Sequence, residues 1–94
     1  MGEVRVTDVR RLPGSWRDAQ TGLLGYVQFV ICGVVRVDGV TLRRTRGGRL
    51  ALSYPVKKYG PGAQYPLIKP VDEAVRREVE RQVFAALDLG EAVA

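Results

Sequence analysis

The stretch Leu50-Ala51-Leu52-Ser53-Tyr54-Pro55-Val56-Lys57-Lys58 reads as a short strand that ends in two adjacent cations. Proline has no N–H to give to a β-ladder, so strand pairing is expected to stop at Pro55. Lys57 and Lys58 are then expected to project into solvent at the rim of a sheet rather than to lie along a strand face. Two cations fixed where a backbone leaves a sheet form a docking point for anions.

Upstream, Arg43-Arg44-Thr45-Arg46-Gly47-Gly48-Arg49 joins this strand to the preceding one. Its glycine pair suits a turn with positive φ. Downstream, Tyr59-Gly60-Pro61-Gly62-Ala63 reads as a flexible loop, followed by a short extended stretch from Gln64 to Ile68. Pro70 is expected to open a single helix that runs to about Leu87 and closes near Gly90, with Asp72 and Glu73 complementing the positive end of its dipole. Val71, Val75, Val79, Val83 and Leu87, together with Ala86, form one apolar stripe at helical spacing. Phe84 falls on the opposite face, among Glu73, Arg77 and Glu80, and is expected to be exposed for a second apolar contact.

Before residue 50 the pattern is β. Residues 23–31 are dominated by aromatic and β-branched side chains, in a run too continuous for a surface helix, and should be the most buried strand. Val4 to Leu12 alternate, without showing which face is buried, and Pro13-Gly14-Ser15 ends them. Trp16, in the polar loop that follows, is better read as a lid on the core edge than as a base-stacking platform. Between residues 32 and 42 both Cys32-Gly33 and Asp38-Gly39 suit a turn. A hairpin at the first and a bulge at the second avoid a strand of about fifteen residues, well beyond the usual length.

These pieces predict one α+β domain over residues 1–94. A small twisted antiparallel sheet of about four or five strands occupies roughly residues 4–68, one C-terminal helix packs on it over roughly 71–88, and a short tail covers 90–94. Ninety-four residues leave no apolar material for a second core. With 46% hydrophobic and 27% charged residues the chain belongs to the globular class rather than the disordered one.

Histidine is absent and Cys32 is the single cysteine, which excludes intramolecular disulfides, cysteine-based zinc sites and the usual catalytic triads. Cys32 follows Phe29-Val30-Ile31 and is expected to be a small buried hydrophobe. The carboxylates show no paired arrangement and no cofactor motif is present, so neither an enzyme nor a cofactor is expected. A signal-peptide h-region and a membrane-length apolar run are both missing, which points to a cytoplasmic protein.

The net charge of +5 favours a polyanionic partner. Residues 36–58 hold seven cations and one anion, whereas residues 72–88 hold three cations and five anions. The positive excess therefore belongs to the sheet and its loops. Arg43, Arg44, Arg46, Arg49, Lys57 and Lys58 are placed to approach phosphates from two loops at strand ends. A charged sheet edge that resists aggregation has the same composition. Tyr54, Tyr59 and Tyr65 are interleaved with these cations, as base stacking beside a phosphate track requires. Only Tyr59 sits in an evidently open loop; Tyr54 belongs at the sheet margin, and Tyr65 could be core.

Three segments, in order, resemble the stage V sporulation protein G (septation protein) family: Val6-Thr7-Asp8-Val9-Arg10, Gly48 to Lys58 with its Pro-x-Lys-Lys exit, and Pro70-Val71 followed by Arg76 and the Val79/Val83 spacing. The resemblance implies a homodimer made through β-strands. It also implies weakly discriminating DNA or RNA binding linked to gene regulation, septation or sporulation, with a cytoplasmic location in a bacterium. Lys57 and Lys58 match the family's basic pair after proline, and Arg76 matches its helix arginine in a nucleic-acid-binding or a structural role. Tyr54 in place of methionine, Ala51 in place of a larger apolar residue and the more basic Arg43-to-Arg46 turn depart from the family. A non-catalytic interaction module of cell division, using Phe84 and a sheet edge, is the alternative.

Overall fold

The structure, a computed structural model, describes residues 3–13 and 21–89. Trp16 and the expected 90–94 tail lie outside the described residues. Four strands, β1 (Val6–Pro13), β2 (Leu23–Ile31), β3 (Val35–Arg44) and β4 (Leu50–Ser53), form an antiparallel sheet in the order β1-β2-β3-β4. Two further strands, β5 (Val56–Lys58) and β6 (Gln64–Pro66), pair antiparallel as a separate hairpin, and one helix, α1 (Glu73–Ala86), follows. This is the expected α+β architecture. No helix among the described residues is long and apolar enough to cross a membrane.

Both neighbours of β2 bulge opposite Gln28 and Phe29. On β3 the register passes from Val27↔Val40 to Phe29↔Val37, so Asp38 and Gly39 together face one residue. Gly39 takes φ +72°, and its N–H donates to its own neighbour's Asp38 Oδ1 at 2.7 Å. On β1 the register passes from Thr7↔Val30 to Arg10↔Gln28, with Asp8 at φ +52°. Each bulge inserts one residue and shifts the inward set by a step of three: Val6 then Val9 on β1, Val37 then Val40 on β3. The alternation of β1 was ambiguous for this reason, because its period breaks at Asp8. Cys32-Gly33 makes the hairpin turn, with both residues at positive φ and the Val34 N–H donating to the Ile31 carbonyl at 3.0 Å. Cys32 is exposed in that turn, not buried as its apolar neighbours suggested, because the left-handed turn carries it off the strand face.

The core gathers Val27, Phe29, Val37, Val40, Leu42, Leu50 and Leu52 of the sheet with Val79, Val83 and Phe84 of α1. The expected start of the helix and the expected placement of Phe84 and Ala86 need correction. Pro70 does not open it: Asp72 is the N-cap, its Oδ1 accepting the Val75 N–H at 2.9 Å, which leaves Val71 outside the helix and 85% exposed. Phe84 is fully buried, and Ala86 is exposed instead. At the other end, near the expected Leu87, Asp88 takes a left-handed position at φ +62°; Gly90 lies outside the described residues. The Leu89 N–H donates to the Phe84 carbonyl (2.6 Å) and the Asp88 N–H to that of Ala85 (3.1 Å).

The buried stripe therefore runs through Val79, Glu80, Val83 and Phe84. A curled sheet contacts a wider arc of the helix than a flat one does. Polar side chains on the two flanks of α1 reach the two edge strands. Glu80 Oε2 accepts the Leu52 N–H of β4 at 3.2 Å. Gln82 Oε1 accepts the Val6 N–H of β1 at 2.8 Å, and its Nε2 donates to the Val4 carbonyl at 2.7 Å. Glu80 and Gln82 lie about 200° apart around a helix, so α1 sits in the opening between β1 and β4 and satisfies edge groups of both.

Candidate nucleic-acid interface

Pro55 ends β4 as expected, but the two lysines beyond it do lie on a strand. Val56↔Pro66, Lys57↔Tyr65 and Lys58↔Gln64 pair across the β5–β6 hairpin. A two-stranded ribbon has no covering layer, so the correction leaves both lysines exposed. Residues 59–63, expected to be a flexible loop, form a tight turn. The Tyr59 N–H donates to the Ala63 carbonyl at 2.9 Å, and Gly60 and Gly62 take positive φ. The turn brings the Tyr59 and Tyr65 rings edge to face at 5.2 Å between centroids, with Lys57 Nζ 5.2 Å from the Tyr59 centroid. Tyr65 is exposed rather than core, because β6 belongs to the hairpin and not to the four-stranded sheet. Tyr54 is half-buried at the sheet margin. Burial, and secondarily the negative charge of Glu80, push its hydroxyl up to about 12.

At the other end of β4, Arg43 and Arg44 close β3 and the chain turns through Thr45 to Arg49. The turn is held from within: the Thr45 N–H donates to the Arg49 carbonyl (2.8 Å), the Gly48 N–H to that of Thr45 (2.9 Å), and Arg44 Nη1 to that of Gly48 (2.9 Å). Gly22 approaches from below, its carbonyl accepting the Arg44 N–H at 2.8 Å. A Cβ on Gly22 would stand 2.8 Å from the Arg44 carbonyl oxygen. Arg43, Arg44, Arg46 and Arg49 are all exposed. The expected cations thus form two groups at opposite ends of β4, one on the turn and one on the hairpin. None of the six forms an ion pair with a described carboxylate.

Arg76 belongs to neither group. Its guanidinium donates to Glu80 Oε1 at 2.8 Å and, through Nε at 2.8 Å and Nη2, to Glu73. Those hydrogen bonds raise the Arg76 pKa further above its ordinary value. They also hold the Glu73 carboxyl down at about 2, the Arg76 bond being the largest cause. Arg76 therefore neutralises Glu80, the carboxylate that caps the β4 edge, and its part in the fold is visible.

Sequence reasoning missed Arg77 and Arg81. A groove of about 610 Å³ runs between the β3–β4 turn and α1, lined by Thr45 and Arg49 on one wall and by Arg76, Arg77, Glu80 and Arg81 on the other. The helix was counted as the acidic half of the chain, and only the packing shows that its arginines face the turn. Among the described residues no three histidine, cysteine, aspartate or glutamate side chains gather as a metal site. Neither a protein-family model nor a curated protein matches this chain.

Proposed function

We propose that this chain is a non-enzymatic nucleic-acid-binding regulator of the stage V sporulation protein G type, acting in a bacterial cytoplasm on DNA or RNA. The carrying observation is that six exposed cations, Lys57, Lys58, Arg43, Arg44, Arg46 and Arg49, are left without a described carboxylate partner while the helix arginines are all paired. A cation not paired with an internal carboxylate keeps its full charge for a phosphate. Tyr59 and Tyr65 beside Lys57 supply π-faces on which unpaired bases stack. Homodimerisation through strands is part of the same proposal. Its support is a hairpin whose outer edges have no described strand neighbour and which exposes Val56, Tyr65 and Leu67.

Lys57→Ala/Lys58→Ala tests it. Fluorescence anisotropy of labelled single- and double-stranded oligonucleotides across a salt series should give a slope of log affinity against log salt that is shallower by about 1.4 to 1.8, for two lost contacts at roughly 0.7 to 0.9 each. An unchanged slope removes the hairpin from the interface. The second reading, an interaction module of cell division with no nucleic-acid contact, draws on the same exposed Val56, Tyr65 and Leu67. It can no longer draw on Phe84, which is enclosed. Oligonucleotide binding confined to very low salt supports that second reading.

A further inference from the structure

We infer that the groove between the β3–β4 turn and α1 is a second phosphate-binding site, in which Arg77 and Arg81 of the helix face Arg49 of the turn across a nucleic-acid backbone. The inference rests on the nucleic-acid reading above and adds residues and a path to it. Cations line both walls, and of the described residues that line the groove Glu80 is the one carboxylate. Glu80 is already engaged by the Leu52 N–H and by Arg76, so it offers little free charge to repel an incoming phosphate.

Arg77 and Arg81 differ from Arg76 in how firmly they are held. Arg76 is 39% exposed and bridges two carboxylates, whereas the Arg77 and Arg81 side chains are 76% and 64% exposed and each has one helix partner, Glu73 at 3.3 Å and Glu78 at 2.6 Å. Glu78 lines a neighbouring depression, between the N-terminal segment and the helix, and Arg81 borders both that depression and the groove. Arg77 holds Glu73 by one contact, whereas Arg81 holds Glu78 by two, through Nε at 2.9 Å and Nη2 at 2.6 Å. Both pairs are solvent-facing and screened by salt, and a phosphodiester that accepts from two guanidiniums at once competes with them, most readily at Arg77. Arginine's planar fork suits that bidentate geometry, which a lysine reproduces only as a point charge. The groove holds no aromatic side chain among its described lining residues, so it suits a backbone rather than stacked bases.

The test is Arg77→Ala/Arg81→Ala in the full chain, measured by anisotropy against labelled oligonucleotides over a salt series, with Arg77→Lys/Arg81→Lys beside it and circular dichroism to confirm the fold. The alanine pair should make the salt slope shallower by about 1.4 on single strands and about 1.8 on double strands, and the lysine pair should keep most of the slope. A slope that is unchanged in the alanine pair but shallower in Lys57→Ala/Lys58→Ala overturns the groove and leaves the hairpin reading standing. Wild-type protein that binds no oligonucleotide overturns both. Labelled poly-glutamate bound in the groove, with the oligonucleotide slope unmoved by the alanine pair, overturns the phosphate assignment in favour of an acidic protein partner.

Discussion

Helix α1 and the β5–β6 hairpin carry the same two kinds of side chain. On the helix, Phe84 is fully enclosed and each of three arginines is bonded to a helix carboxylate. On the hairpin, Tyr59 and Tyr65 stand in the open, and Lys57 and Lys58 have no described carboxylate partner. The difference is the presence of a second layer. Where a sheet lies beneath, Phe84 and the half-buried Arg76 are committed to the fold; where none does, as on the hairpin and at the outer Arg77 and Arg81, the same kinds of group remain available to a ligand. Aromatic and cationic content is therefore no guide to function until the packing is known.

The sharpest way to break that contrast is to truncate one ring in each region. Phe84→Ala should cost about 3–5 kcal/mol, as for other fully buried phenylalanines, and leave the chain largely unfolded at moderate temperature. Tyr65→Ala should change stability by no more than about 0.5 kcal/mol, as exposed sites usually do. Chemical denaturation of both variants checks the pair, and comparable losses would show that the hairpin is part of the core.

Glu80→Ala comes next in size. It removes the acceptor of the Leu52 N–H and one partner of Arg76, and an unsatisfied buried group of this kind costs about 1–3 kcal/mol. Glu80→Gln keeps an acceptor for the strand edge and should recover part of that loss. Thermal melting of the two variants separates edge capping from charge pairing.

The smallest effect is on acid. Glu73 and Glu78 are both held down at about 2, chiefly by hydrogen bonds from Arg76 and Arg81 respectively. A depressed carboxyl pKa means the unfolded chain binds more protons, so the stability these pairs contribute is complete above about pH 4.5 and is lost as pH falls toward 2. Melting temperature should decline through that window, and Glu73→Gln/Glu78→Gln should flatten the decline. The Tyr59 and Tyr65 resonances should stay unmoved by this titration in NMR spectra, because no described carboxylate pairs with the hairpin lysines.

Much of the fold could be read from local chemistry. The strongly β run at residues 23–31, the Cys32-Gly33 turn and the Asp38-Gly39 bulge follow from residue shape and strand length, and the structure has them where they were expected. The helix register was harder. A four-residue repeat of valine points along one line, but the Asp72 cap starts α1 after Val71, and the curled sheet covers the flank that carries Glu80 and Phe84. At the candidate site, exposure of Lys57, Lys58 and the turn arginines was legible from Pro55 and the Gly47-Gly48 pair. The approach of Arg77 and Arg81 to Arg49 was not, since residues about thirty apart meet only through the crossing of a helix over a strand edge.

By itself the sequence determined where strands stop, which turns need positive φ and that positive charge collects between residues 36 and 58, because each depends on backbone sterics or composition within a few residues. The tertiary structure alone decided which charges are neutralised and which rings are enclosed. Burial and pairing depend on what lies opposite in space, and the bulges that curl the sheet around α1 set that neighbour for each side chain.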